Sequence, residues 1–94
     1  MSDLQHDDSI IGRCILTFDG RVLELFNERT ADAQRLIVGM LNVKVDEPDR
    51  KGRRDVKFTC NTGFRSGGGF RIVADEAQWL AVEPFVREVE AALG

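Results

Sequence analysis

The stretch Ile10–Phe26, IIGRCILTFDGRVLELF, decides how this chain folds. Two apolar runs flank Asp19-Gly20, a pair that suits the tight turn of a β-hairpin because a type I′ turn needs positive φ at both central positions. A two-residue loop at Asp19-Gly20 sets Phe18 opposite Arg21, Leu16 opposite Leu23 and Cys14 opposite Leu25. Side chains alternate along a strand, so Cys14, Leu16, Phe18, Leu23 and Leu25 then share one face. That face is the expected core; Thr17, Val22 and Glu24 fall on the other.

Working outward, Asn27 to Gln34 is polar and reads as a connection. Arg35 to Met40 reads two ways. Thr30 can cap a helix with Ala33, Leu36, Ile37, Met40 and Leu41 on its apolar face. Ile37, Val38 and Gly39 equally suit a short strand and turn, and the strands on either side favour that reading. Leu41, Val43 and Val45 alternate with Asn42, Lys44 and Asp46, a period of two. Glu47-Pro-Asp-Arg-Lys-Gly52 is a turn, with aspartate able to close an Asx turn and glycine permitting the return. Val56, Phe58 and Cys60 point inward from the next strand. Residues 61–69, with four glycines, form a second connection, and Phe70 and Ile72 end the strand series.

The last segment is helical. Asp75 and Gln78 have the spacing of a capping box. Trp79, Val82, Phe85, Val86, Val89 and Leu93 recur at helical intervals. Pro84 lacks the amide proton a helix interior uses, so the segment is expected as a short turn over 75–81 followed by a helix over 83–93, or as one kinked helix. Residues 1–9, with three aspartates, one histidine and only Leu4 as a large apolar side chain inside them, are expected as a flexible acidic tail ahead of a single domain over 10–94.

Composition bounds the function. The chain has 94 residues, 43% apolar and 31% charged, with a net charge of −3. That is one ordinary globular domain. No apolar run approaches the ~20 residues of a membrane helix, and the polar N-terminus is not a secretory signal; a cytoplasmic protein is expected. Ten arginines against three lysines suggest a GC-rich bacterial genome. Cys14 and Cys60 match no zinc or redox spacing and read as free buried thiols. No cofactor or metal is expected.

The charge is unevenly spread. Residues 44–65 carry seven basic and four acidic side chains, while both flanking regions are acidic. Arg50, Lys51, Arg53 and Arg54 place four cations within five positions, the best candidate for contact with a partner. An acidic protein surface fits the overall negative charge better than lipid or nucleic acid does. Gly63-Phe-Arg-Ser-Gly-Gly-Gly69 lacks the Gly-Lys-Ser/Thr ending of a phosphate loop and precedes a strand. Phe64 within it is either a loop anchor or an exposed contact. His6, the single histidine, lies in the expected tail and names no catalytic site. Glu83 and Arg87 suit an i,i+4 ion pair on the helix, and Trp79 is its expected core anchor.

This order resembles the short bacterial members of the pleckstrin-homology-like family. The residues that carry the resemblance are Gly12 through the Phe18-Asp19-Gly20-Arg21 hairpin, Arg35 ahead of Leu41-x-Val43-x-Val45, and the terminal Trp79–Leu93 helix. The resemblance implies a mainly β fold, an antiparallel barrel or roll of five to seven strands capped by a C-terminal helix. It also implies a binding or scaffolding role without catalysis, through protein interaction or self-association. The phosphoinositide-binding members use basic residues around a long first loop. Here that loop is two residues with only Arg21 nearby, so lipid headgroup or nucleic-acid binding through residues 50–54 is the alternative.

Overall fold

The computed structural model describes residues 2–61 and 66–93, with side chains described for 2–60 and 69–93. The described residues form seven strands and one α-helix: β1 (Ser2–Asp8), β2 (Gly12–Phe18), β3 (Val22–Asn27), β4 (Asp32–Ile37), β5 (Leu41–Val45), β6 (Arg54–Asn61), β7 (Ser66–Ala74) and α1 (Glu76–Ala92). They form two antiparallel sheets, β1-β2-β3-β4 and β5-β6-β7. Among the described residues no strand ladder joins the two, so the barrel is not closed. A single 3₁₀ turn, Val38–Met40, carries the chain from the first sheet to the second.

The central hairpin forms with its core face as expected. Cys14, Leu16, Phe18, Leu23 and Leu25 are all buried. The register is displaced by two residues: Phe18 pairs with Leu23 and Leu16 with Leu25. The cause is local. Asp19 Oδ1 accepts from the Arg21 and Val22 amides at 2.9 and 2.8 Å, so aspartate closes the strand pair instead of occupying the loop. Gly20, at φ +94°, becomes the first loop residue. A displacement of two keeps every side chain on its face, which is why the core survives it.

The N-terminal expectation is corrected. Residues 2–8 are not a tail but an edge strand paired along its whole length with β2. Leu4, His6 and Asp8 point inward and are buried. The period of two was present in the sequence, but two of its three inward positions are polar. The polar stretch after Asn27 is also shorter than expected, because β4 begins at Asp32 and runs to Ile37. The strand reading of this region holds, and helix is confined to the 3₁₀ turn. Part of the expected glycine-rich connection is strand as well, since β7 starts at Ser66; Phe64 lies outside the described residues.

In the second sheet Leu41, Val43 and Val45 sit opposite Cys60, Phe58 and Val56. α1 is one continuous helix packed against β1 and β7. Its capping box forms as expected, with Asp75 Oδ1 accepting from the Gln78 amide at 2.7 Å and Gln78 Oε1 from the Asp75 amide at 3.0 Å. Pro84 is tolerated inside it because it lies on the exposed face beside Leu80, itself 79% exposed, where the carbonyl that loses its partner meets water. Val82, Phe85, Val86 and Val89 are buried, whereas Leu93 lies past the helix end and is exposed. The Glu83–Arg87 pair forms at 3.5 Å. The core joins Leu4, Leu16, Phe58, Ile72 and Val86, with Val43 and Trp79 packed at its margin.

Candidate functional site

The basic hairpin is built around one carboxylate. Asp49 Oδ1 accepts from the amides of Lys51 and Arg53 at 2.8 and 2.9 Å, and the Asp49 amide donates to the Arg53 carbonyl at 2.8 Å. Gly52 takes φ +76°, a conformation glycine adopts without strain. The Arg53 amide bond, then that of Lys51 and the Arg53 charge, hold the Asp49 carboxyl below its ordinary range. The expected Asx turn therefore forms and fixes where the four cations point.

The four do not act alike. The turn rests on the first turn of α1, so close that a Cβ on Gly52 would lie 3.1 Å from Glu76 Cγ. Arg54 lays its guanidinium over the Trp79 ring, 5.0 Å from the centroid. Arg53 is half-buried, with its Nε 3.5 Å from Asp49 Oδ2 and no hydrogen bond to it. Arg50 and Lys51 are exposed at the tip and make no ion pair among the described residues. So Arg53 and Arg54 are engaged by the fold, whereas Arg50 and Lys51 are open to solvent.

Strand pairing extends this basic surface in a way spacing does not reveal. Lys44 lies opposite Lys57, and Lys57 opposite Arg71. Three cations thus stand side by side on the outer face of the second sheet. Like charges in register repel, and carboxylates in the neighbouring row offset this. Asp46 lies 3.8 Å from Lys44 and 3.4 Å from Lys57, and Asp55 lies 3.7 Å from Arg71. Arg71 follows the glycine-rich segment, so only the β6–β7 register brings it beside Lys57.

The single histidine has a structural post. His6 Nε2 donates to the Val73 carbonyl at 2.9 Å and lies 3.3 Å from Asp8 Oδ2. Asp8 Oδ2 in turn accepts from the Val73 amide at 2.6 Å, and its other oxygen accepts from the amides of Ile10 and Ile11 at 2.8 and 3.0 Å. Two side chains of β1 thus satisfy both backbone groups of a β7 residue and pin the two sheets together without a ladder. Further along the junction the sheets part over an open cavity of about 360 Å³, lined by Ile10, Leu25, Asn27, Asp32, Phe70 and Arg71.

No family model, curated protein or solved structure matches this chain. The site therefore rests on its own geometry. Among the described residues no group of three or more His, Cys, Asp or Glu side chains is placed to hold a metal. Among them, too, no helix is long and apolar enough to cross a membrane.

Proposed function

We propose that this chain is a non-catalytic, pleckstrin-homology-like interaction module that works by binding protein, either another chain or its own copies. The observation that carries the reading is the strand plan. Four antiparallel strands, then three, then a C-terminal helix against β1 and β7 support it, since five to seven antiparallel strands and a terminal helix are what the resemblance implies. The use of His6 as a buried structural donor to Val73 supports a binding role over acid–base chemistry. Fold alone does not name a partner. Exposed apolar side chains outside the core, Leu80, Ile37, Ile10 and Phe26 among them, are the kind of surface that protein contact covers.

The test is site-specific photo-crosslinking in the cells that make the protein. A photoreactive side chain is placed in turn at Phe26, Ile37, Arg50, Thr59 and Leu80. Crosslinks to protein confined to one or two of these positions are expected. Absence of any protein crosslink at all five overturns the reading.

A second reading, binding of a phosphate-bearing ligand, is favoured by one specific arrangement. Arg50 and Lys51 sit on the β5–β6 connection, and the Lys44–Lys57–Arg71 row crosses β5, β6 and β7 of the same sheet. Phosphate contacts strengthen as salt falls. Anionic lipid vesicles and duplex DNA, each tested at low ionic strength, separate the sources. Undetectable binding to both ends this reading.

A further inference from the structure

The outer face of the four-stranded sheet is laid out row by row. Gln5, Ile15, Phe26 and Ala33 stand side by side across β1 to β4, and Asp3, Thr17, Glu24 and Arg35 form the adjacent row. Arg13 on β2 pairs with Asp7 on one side, and the Glu28 amide bonds its carbonyl on the other. The inward partners Leu4, Cys14, Leu16, Leu23, Leu25 and Leu36 are buried, so these rows face away from the core. Phe26 is 37% exposed and Ile37, two rows further on, 60%.

The face is self-complementary under one symmetry operation. Consider a two-fold axis lying parallel to the strands, above the line between β2 and β3. Rotation places β1 of one copy over β4 of the other and β2 over β3. Asp3 then meets the other copy's Arg35, and Arg35 its Asp3. Ile15 meets Phe26 in both directions, and Arg13 meets Glu28. Asp3 on Arg35 and Arg13 on Glu28 put acid on base, Ile15 on Phe26 puts apolar on apolar, and Gln5 on Ala33 and Thr17 on Glu24 complete the two rows without a like-charge clash. An isologous interface requires this of a single surface, and face-to-face sheets pack in this aligned manner, about 30° from parallel.

We propose that the chain forms a two-fold dimer through this face, with a second copy of itself as the occupant. The inference rests on the protein-interaction reading above and gives it a partner. Glu24 and Arg35 are already paired at 2.5 Å within one chain, Arg35 at the β4 end of the charged row, and there they join the partner's Asp3 in a network.

Asp3 and Arg35 supply the decisive test, because three strand spacings, about 14 Å, keep them from pairing inside one chain. Sedimentation of the full chain over roughly a hundredfold concentration range should show a monomer–dimer equilibrium. Asp3→Arg and Arg35→Asp should each weaken it by about tenfold or more. The double variant Asp3→Arg/Arg35→Asp should recover most of the loss. Phe26→Asp should leave only monomer. Circular dichroism checks that each variant folds, and Ala33→Glu, at an exposed position of the same row, serves if Phe26→Asp does not. A wild-type monomer at every concentration overturns the dimer. A dimer that ignores these variants, or single losses without rescue, overturns the face. Both outcomes leave the photo-crosslinking test of partner binding standing, so the two failures are distinguishable.

Discussion

Asp8 Oδ2 lies 2.6 Å from the Val73 amide, a carboxylate on the first strand doing for the last strand what a neighbouring strand's carbonyl would do. Its other oxygen holds two more amides at the β1–β2 turn. Removing it leaves buried donors without acceptors, each costing about 1–3 kcal/mol. Asp8→Ala should therefore destabilise the fold by about 3 kcal/mol or more. Asp8→Asn should cost about 2 kcal/mol, because one face of the amide presents a donor where an acceptor is needed. Urea unfolding of the two variants measures both.

Arg54 and Trp79 form a pair whose worth can be isolated. Trp79 is only half-buried, so Trp79→Ala should cost about 2–3 kcal/mol, below the range for a fully enclosed indole. The double-mutant cycle with Arg54→Ala should return a coupling of about 0.5–1 kcal/mol for a partly exposed cation over a ring. Arg50→Ser and Lys51→Ser, at the free tip, should leave unfolding midpoints unchanged within error.

Gly69 is required by close packing. A Cβ there would lie 2.4 Å from the Phe58 carbonyl oxygen and 2.9 Å from Thr59 Cα, both backbone atoms of the paired strand. Gly69→Ala should force β6 and β7 apart and cost about 1–3 kcal/mol. Faster amide exchange at Phe58 and Thr59 would be the local signature.

The two thiols should behave differently. Burial, reinforced by the charges of Asp8, Asp7 and Glu28, pushes the Cys14 thiol from 9.0 up to about 11. Native protein at neutral pH should be alkylated at the half-buried Cys60 far faster than at Cys14, and unfolded protein equally at both. A raised folded value means the unfolded chain loses the proton first. Stability is then whole below 9.0 and declines as pH rises toward about 11. Denaturant titrations across that interval, compared with Cys14→Ala, should show the decline only in the wild type.

Asp49 gives the opposite sign. Its carboxyl is held below 3.8 by the Arg53 amide bond, so its contribution is present above that value and is lost as pH falls through the depressed one. The amide resonances of Lys51 and Arg53 should stay fixed down to the ordinary carboxylate range and move only below it. Asp49→Ala should place them at their acid positions already at neutral pH.

Where the sequence was legible, a single physical rule was at work. The alternation in Cys14–Phe18, Leu41–Val45 and Val56–Cys60 gave the inward faces, and the Asp75–Gln78 box gave the helix start. β1 was hidden because His6 and Asp8 occupy core-facing positions, and their compensation comes from Val73, on another sheet. The hairpin register is not legible from residue type, because the Asp19 side chain accepts from the Arg21 and Val22 amides and closes the strand pair where an Asp-Gly turn would place it in the loop. For the candidate site, the cation cluster and its Asx turn were visible locally. The engagement of Arg54 by Trp79 and the alignment of Arg71 with Lys57 were not, since both depend on which distant elements become neighbours.

The bonds that tie β1 to the second sheet and the helix span most of the chain: Asp8 to Val73, the Asp7 carbonyl to Gln78 Nε2 at 2.7 Å, and Ser2 to Glu88. Every such closure spans more than sixty positions, 65 for Asp8–Val73 and 71 for Asp7–Gln78. Loops of that length form slowly. As a ribosome releases the chain, the β2–β3 hairpin can assemble at once, while the opening strand has to wait with its charged side chains unmatched until β7 and the helix emerge. Completion of this fold therefore waits on its final strand and helix, which lock the opening strand in place as they arrive.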